Sequence, residues 1–254
     1  MLSKNKTKFV NSLQKKKNRD KEGLFLVEGV KMVHELLLST YETIALFSLP
    51  EWKAPTTISG IEKTEVTPVE LKEISQLKTP QQVVALAKQP QIPVTKELPK
   101  EELVLALDAI RDPGNMGTLL RLADWFGISR IFCSPDSVDT YNPKVVQASM
   151  GAIFRVSVLH TNLVDLIDNS SKEIPVYGTF MEGENLYTTK LSPAGCIILG
   201  NEGKGISNEV AQKVTHKLHI PNFNPSSATS ESLNISIAGA VVCAEFRRAQ
   251  HYSK

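Results

Sequence analysis

"CIILGNEGKGIS", residues 196–207, joins four consecutive apolar residues to a segment with glycine at 200, 203 and 205. An uninterrupted apolar run suits a strand buried on both faces, as in a parallel sheet. The glycines after it predict a loop in which backbone approaches something closely. That loop is not a triphosphate cradle. Lys204 follows Gly203, but Ile198 and Gly205 stand where GxxxxGK[ST] needs Gly and Ser or Thr. GxGxxG fails as well, because position 208 is Asn. Taken alone, a ligand loop and a plain strand-to-helix turn are evenly matched.

The surrounding chain repeats the same logic. "LVLALD" (103–108) is a second buried-strand run, and "NMGTLLRLADWFG" (115–127) predicts a helix with Asn115 as its N-cap. "RIFCS", "FRVSVL", "IPVYGTF" and "HKLHI" read as strands, "NPKVVQASMGA" and "NLVDLIDNSS" as helices, and 230–249 as a closing helix. Strands alternating with helices predict an α/β fold with a parallel sheet. Upstream, 3–19 predicts one basic helix, followed by strands at 23–29, 43–49 and 82–88 and a helix opening at Thr67-Pro68. That stretch suits a small α/β domain of its own. "QPQIPVTKELPKEE" (89–102), with three prolines, reads as the link between the two.

The 41% hydrophobic and 22% charged content is that of an ordinary globular protein. Net charge is only +2, but residues 1–34 hold nine Lys/Arg against three acids, so they carry +6 and the remainder −4. A basic end fits a polyanion partner; a solvated helix fits it equally well. Cys133, Cys196 and Cys243 are far apart in apolar surroundings, which predicts buried thiols in a reducing compartment rather than a disulfide frame or a metal site. No apolar run suggests a secretory signal or a membrane span.

In open α/β sheets ligands sit beyond the carboxyl ends of the strands. Three polar stretches follow predicted strands there: "DAIRDPGNMGTLLR" (108–121), "LGNEGKGIS" (199–207) and "IPNFNPSSATSESLN" (220–234). Each has a bland account. Arg121 is equally a surface Arg or a partner of Asp124, and Asn234 equally a local cap.

Together they match one family. "NMGTLLR", "LGNEGKGIS" and "IP…SLNISIAGA" resemble, in order and spacing, the three motifs of the SpoU (TrmH-like) branch of the SPOUT RNA methyltransferases, and "LFLVEGVKMVHELL" resembles the substrate-binding domain common in that branch. The resemblance implies an RNA ribose 2′-O-methyltransferase using S-adenosylmethionine without a metal. It implies a small α/β (L30e-like) RNA-binding domain over 1–92, a linker over 93–101 and a catalytic domain over 102–254. That catalytic domain is expected to hold a deep trefoil knot, which general chain-threading rules do not suggest. A cytoplasmic homodimer acting on RNA is implied, with ribosomal RNA favoured over transfer RNA. A non-catalytic ribosome-assembly factor with the same fold is the alternative.

The residues carried over for catalysis are Asn115, Arg121, Glu202, Ser232 and Asn234. Those carried over for the cofactor are the Thr179-Phe180 loop, Leu199, Gly200, Asn201, Glu202 and Gly203, then Ile220, Leu233, Asn234 and Ala238. The family gives the Arg a general-base role. A guanidinium is always protonated, so a bidentate hold on a neighbouring phosphate is physically easier. Glu202 is expected to orient Arg121 or a polar group of the ligand. The chain departs from the family pattern after Ile220-Pro221, where Asn222 replaces the usual Met and a longer insert runs to Glu231.

Overall fold

Local capping and burial set most of the element boundaries. The computed structural model describes residues 2–93, 95–224 and 232–252. The chain divides into two compact units, Met1–Gln91 with Asp139–Arg155, and Ile92–Val138 with Val156–Lys254.

The basic N-terminal stretch is two helices rather than the single one expected, α1 (Lys4–Ser12) and α2 (Lys16–Glu22). The break has a cause. Arg19, only 1% exposed, turns its guanidinium back onto the carbonyls of Leu13 and Gln14, each at 2.7 Å. Those are carbonyls that a continuing helix would use for itself. Gly23 then closes α2 at φ +65°. There follow β1 (Leu24–Glu28), α3 (Val30–Leu37), β2 (Thr43–Ser48), β3 (Glu62–Glu65), α4 (Pro68–Ile74) and β4 (Val83–Lys88). Thr67 and Glu70 form a reciprocal capping box at α4, with Pro68 in the first turn. The sheet order is β1-β4-β2-β3, with β4 antiparallel to both neighbours. β3 is largely exposed and carries no apolar alternation, so no strand is legible there from sequence.

The second unit begins with β5 (Leu103–Leu107), α5 (Pro113–Trp125) and β6 (Arg130–Cys133). The chain then supplies α6 (Pro143–Ser149) and a 3₁₀ turn at Ala152–Phe154. Both lie in residues 139–155, expected in the second domain but packed in the first unit. Asp139 there receives the Arg19 guanidinium, and the Tyr141 and Phe25 rings lie 4.6 Å apart. The second unit resumes with β7 (Ser157–His160), α7 (Leu163–Asn169), β8 (Val176–Asn185), β9 (Gly195–Leu199), α8 (Asn208–Ala211), β10 (His216–His219) and α9 (Ile235–Tyr252).

Its six strands are all parallel in the order β10-β8-β9-β5-β6-β7, as the sequence pattern predicts. β5 and β9 are buried along their whole length. Val104, Ala106, Cys196 and Ile198 pack with Leu163, Leu166 and Val176 in one apolar cluster. From β5 the chain winds outward through β6 and β7, then returns to build β8, β9 and β10 on the other side. The winding direction therefore reverses between β5 and β9, where an open α/β sheet leaves a crevice.

Two expectations near that crevice need correction. Thr179 and Phe180 belong to β8 rather than to a loop. The register of β10 jumps from Gly178 to Glu184, so residues 179–183 bulge out of the ladder while the strand continues. The closing helix starts later than expected. Ser232, Leu233 and Asn234 precede α9, and residues 230–231, like most of the insert after Asn224, lie outside the described residues.

Candidate active site

The crevice is bounded by the loops that follow β5 and β9. Asp108, one residue past β5 and 4% exposed, accepts a hydrogen bond from the Ser207 N–H at 2.7 Å across it. Ala109 follows at φ +57°, a left-handed conformation that L-residues other than Asn and Asp seldom adopt. Its N–H donates to Ser134 Oγ at 2.8 Å, and its carbonyl accepts from Asn201 Nδ2 at 2.7 Å. Ile110 N–H donates to Ser137 Oγ at 3.2 Å. The sequence alone does not single out Asp108, Ser134 or Ser137. "CSPDS" carries only the composition of a turn.

At α5 the N-cap is Asp112, not Asn115. The Asp112 Oδ1 accepts from the Asn115 N–H at 2.8 Å. This places Asn115 in the first turn and releases its side chain. Its Nδ2 donates to Glu202 Oε1 at 2.9 Å, and its Oδ1 accepts from Asn234 Nδ2 at 3.1 Å. Asn234 caps α9, its Oδ1 accepting from Ser236 N–H at 2.9 Å and its carbonyl from Ala238 N–H. The local cap and the site contact are thus both made by Asn234. One residue from each stretch, 87 and 119 positions apart, meets in a line of amides whose donors lead to one carboxylate.

The glycine loop is internally tied. Asn201 and Gly205 exchange two backbone hydrogen bonds at 2.9 Å, and Asn201 Oδ1 accepts from the N–H groups of Gly203 and Lys204 at 3.0 and 3.1 Å. Asn201 Nδ2 also lies 3.3 Å from Glu202 Oε2. The glycines differ in what they demand. A Cβ on Gly200 would lie 2.2 Å from Gly205 C and Ile206 N, so the loop's own closure requires glycine there. A Cβ on Gly203 would meet only Asn201 Oδ1, at 3.7 Å. Among the described residues that side of the loop is open.

Arg121 lies on the exposed side of α5 and makes no hydrogen bond or ion pair with a described residue, Glu202 included. Ser232 is likewise exposed and makes none. Thr179 Oγ1 donates to the Ile198 carbonyl at 3.4 Å, and the Phe180 ring sits under Lys217 Nζ at 5.2 Å. Leu199 and Gly200 are buried, Ile220 and Ala238 half-buried, and Leu233 is 51% exposed. Gly239, one turn into α9, lets that helix close on Leu199 and Leu119, which a Cβ would meet at 3.0 and 3.2 Å.

The SpoU rRNA Methylase family model matches residues 102–244, which hold all three loops. The chain belongs to that family. The model of the MRM3-like substrate binding domain matches residues 4–85. Among curated relatives of the SpoU family, the 23S rRNA (guanosine(2553)-2′-O)-methyltransferase RlmP of Bacillus subtilis is 29% identical over 245 residues, 95% of this chain and 96% of that protein. A solved structure of a TrmH-family protein from Porphyromonas gingivalis superposes with a TM-score of 0.86 at 41% identity, covering 98% of this chain and 99% of that one. The AdoMet-bound rRNA methyltransferase of Sinorhizobium meliloti superposes with a TM-score of 0.80 at 26% identity, covering 100% and 97%.

Proposed function

We propose that this protein transfers a methyl group from S-adenosylmethionine to a ribose 2′-hydroxyl of ribosomal RNA, and that the β5–β9 crevice is where it does so. The observation that carries the reading is the line Asn234–Asn115–Glu202, which joins all three motifs beside an open glycine loop. The full-length likeness to a 23S rRNA ribose methyltransferase supports ribosomal RNA over transfer RNA.

The residues suit the cofactor. The exposed side of Gly203 admits a flat ring with no described side chain in the way, and Ile220, Leu233 and Ala238 keep apolar surface exposed for it, with buried Leu199 beneath the loop. Bound there, S-adenosylmethionine supplies an electrophilic methyl on a sulfonium, so no metal is needed. Asn115, Glu202 and Asn234 have fixed each other's rotamers, so the crevice is pre-organised. Glu202 accepts from the amides of Asn115 and Asn201, one on each oxygen, and keeps acceptor capacity for a ligand. Arg121, exposed and unpartnered among the described residues, can grip the phosphate beside the target ribose, where its charge stabilises a developing alkoxide. Ser232 borders the same crevice as a hydroxyl for orienting ligand groups.

The reading includes a knotted catalytic unit and a cytoplasmic homodimer. Exposed apolar side chains on α5 and α9, among them Trp125 and Ile237, support a second copy covering that face. The first unit supplies RNA affinity through its basic helices. The test is to incubate ribosomal RNA from cells lacking the protein with the enzyme and labelled cofactor, then map ribose methylation. One new 2′-O-methyl site is expected. No transfer, with no cofactor binding by calorimetry, leaves the assembly-factor reading in its place.

A further inference from the structure

The side chain of Asn201 makes four contacts, and every partner belongs to the protein. Oδ1 accepts from Gly203 N–H and Lys204 N–H, while Nδ2 donates to the Ala109 carbonyl at 2.7 Å and reaches Glu202 at 3.3 Å. A carboxamide has two acceptor sites and two donors. All are committed, so the side chain has nothing left to offer a ligand. Two backbone donors that the glycine loop might have turned outward, at 203 and 204, are consumed as well.

What Asn201 grips is the strained point of the opposite loop. Ala109 at φ +57° populates its observed conformation roughly 5- to 30-fold less readily than glycine would. It is held from two directions. Ser134 Oγ, past β6, takes its N–H, and Asn201, past β9, takes its carbonyl. The chain then runs three residues to Asp112, which caps α5 through the Asn115 N–H. The backbone angle at Ala109 therefore sets where α5 begins and where Asn115 points. Strain held by surrounding contacts beside a ligand site is a recurring functional device.

We propose that Asn201 is a positioning residue for methyl transfer: it straps the cofactor loop to the strained Ala109 peptide, so that Asn115 and Glu202 arrive at the crevice in register. It acts through Ala109 rather than through contact with cofactor or RNA. The proposal rests on the methyl-transfer reading only for its activity readout.

The test is a double-mutant cycle with Asn201→Ala and Ala109→Gly, read by kcat/KM for ribosomal RNA and by cofactor affinity from calorimetry. Loss of the four Asn201 side-chain hydrogen bonds, the one to the Ala109 hinge among them, lowers kcat/KM roughly ten- to a hundredfold in Asn201→Ala. Glycine at 109 holds the left-handed conformation without the strap. Measured against Ala109→Gly alone, removing Asn201 therefore costs at most about threefold. A side chain that touched the cofactor would cost the same in both backgrounds. Equal costs overturn the proposal, as does an Asn201→Ala enzyme with wild-type kcat/KM. Asn201→Asp keeps the acceptor for Gly203 and Lys204 but turns an anionic oxygen toward Glu202 and the Ala109 carbonyl, so it must lower kcat/KM at least as far as Asn201→Ala; a wild-type value overturns the strap. If Asn201→Ala fails to fold with Ala109, folding restored by glycine supports the strap, and failure in both backgrounds overturns it. Amide hydrogen exchange separates this from the functional reading. Asn201→Ala must speed exchange at Ile110 and Asn115 whether or not any RNA is methylated; unchanged exchange there also overturns the proposal.

Discussion

Each of the two units is a sheet with helices, and they place their polar chemistry in opposite ways. In the second unit six parallel strands end on one side, so loops far apart in sequence reach one crevice. Polar residues there bond to one another: Asp108 to Ser207, Asn115 to Glu202 and Asn234, Asn201 to Ala109. In the first unit β4 runs against both neighbours, and no single edge collects the strand ends. Its charge sits on a helical corner instead, where Lys15, Lys16 and Lys17 stand exposed at the start of α2. Adjacent cations at a helix N-terminus oppose each other and the helix dipole. Buried Arg19 nonetheless fixes that corner. The contrast separates a few exactingly placed groups from a charged surface that works by field, and each half of it can be tested.

The largest effect is expected at Gly203. Gly203→Val should lower S-adenosylmethionine affinity by at least about a hundredfold, because a side chain would fill the open face of the loop. Its melting temperature should hardly move, since no described residue other than Asn201 comes near that space. Gly200→Ala should do the reverse and destabilise the unit, its Cβ having backbone 2.2 Å away. Calorimetry with thermal melts of both variants decides. A Gly203→Val protein that binds normally moves the cofactor elsewhere.

The next effect depends on the proposed homodimer. Arg121 has no hydrogen-bond or ion-pair partner among the described residues, which suits a guanidinium that completes the site of a second copy. Arg121→Ala and Gly203→Val, each inactive, should complement when co-expressed, restoring about a quarter of wild-type activity under random pairing in an isologous dimer. Half the dimers are mixed, and one of two sites in each is intact. Activity at the level of the single variants would mean that each chain completes its own site.

A smaller effect belongs to the basic corner. Replacing Lys15, Lys16 and Lys17 together with Ala should weaken ribosomal RNA binding about tenfold at physiological salt and flatten the logarithmic salt dependence by about 2. Cofactor affinity should stay unchanged. Deleting 1–90 is a poorer test, because residues 139–155 would lose the partners that bury Val145, Val146 and Phe154. An unaltered salt slope would remove the corner from the RNA surface.

The parallel sheet was legible because β5 and β9 are apolar throughout, and the three motifs because their residue types and order are distinctive. The arrangement inside the site was not. Asn115 reads as an N-cap from composition, yet Asp112, three residues earlier, takes that role and frees it for Glu202. Ala109 gives no sign of a left-handed backbone, because the contacts that hold it come from Ser134 and Asn201, 25 and 92 residues away. Residues 139–155 follow a strand of the second unit, and long-range contacts such as those of Asp139 with Arg19, Tyr141 with Phe25 and Arg155 with Glu35 assign them to the first. Local signals carry element type; long-range hydrogen bonds decide what each polar residue does.

The last contrast between the units is a reaction that burial suppresses. Cys133, Cys196 and Cys243 all lie buried in the second unit. Burial pushes each thiol up, Cys196 and Cys243 to about 12, with the Arg247 charge opposing the rise at Cys243. The thiolate is the reactive form, so an aromatic disulfide reagent at pH 8 should label the native protein roughly a thousandfold more slowly than the unfolded chain. The tryptophans divide the other way. Trp52 is buried in the first unit and 3% exposed, whereas Trp125 of the second is already 85% exposed. Fluorescence change on unfolding therefore reports Trp52, and thiol labelling reports the second sheet. Residues 139–155 run between β6 and β7 yet complete the first unit, so melting that unit frees a segment tied at both ends to the second. The two probes should then share one denaturant midpoint. Thiols still protected after the Trp52 signal is lost would show that the units unfold separately and that the shared segment couples nothing.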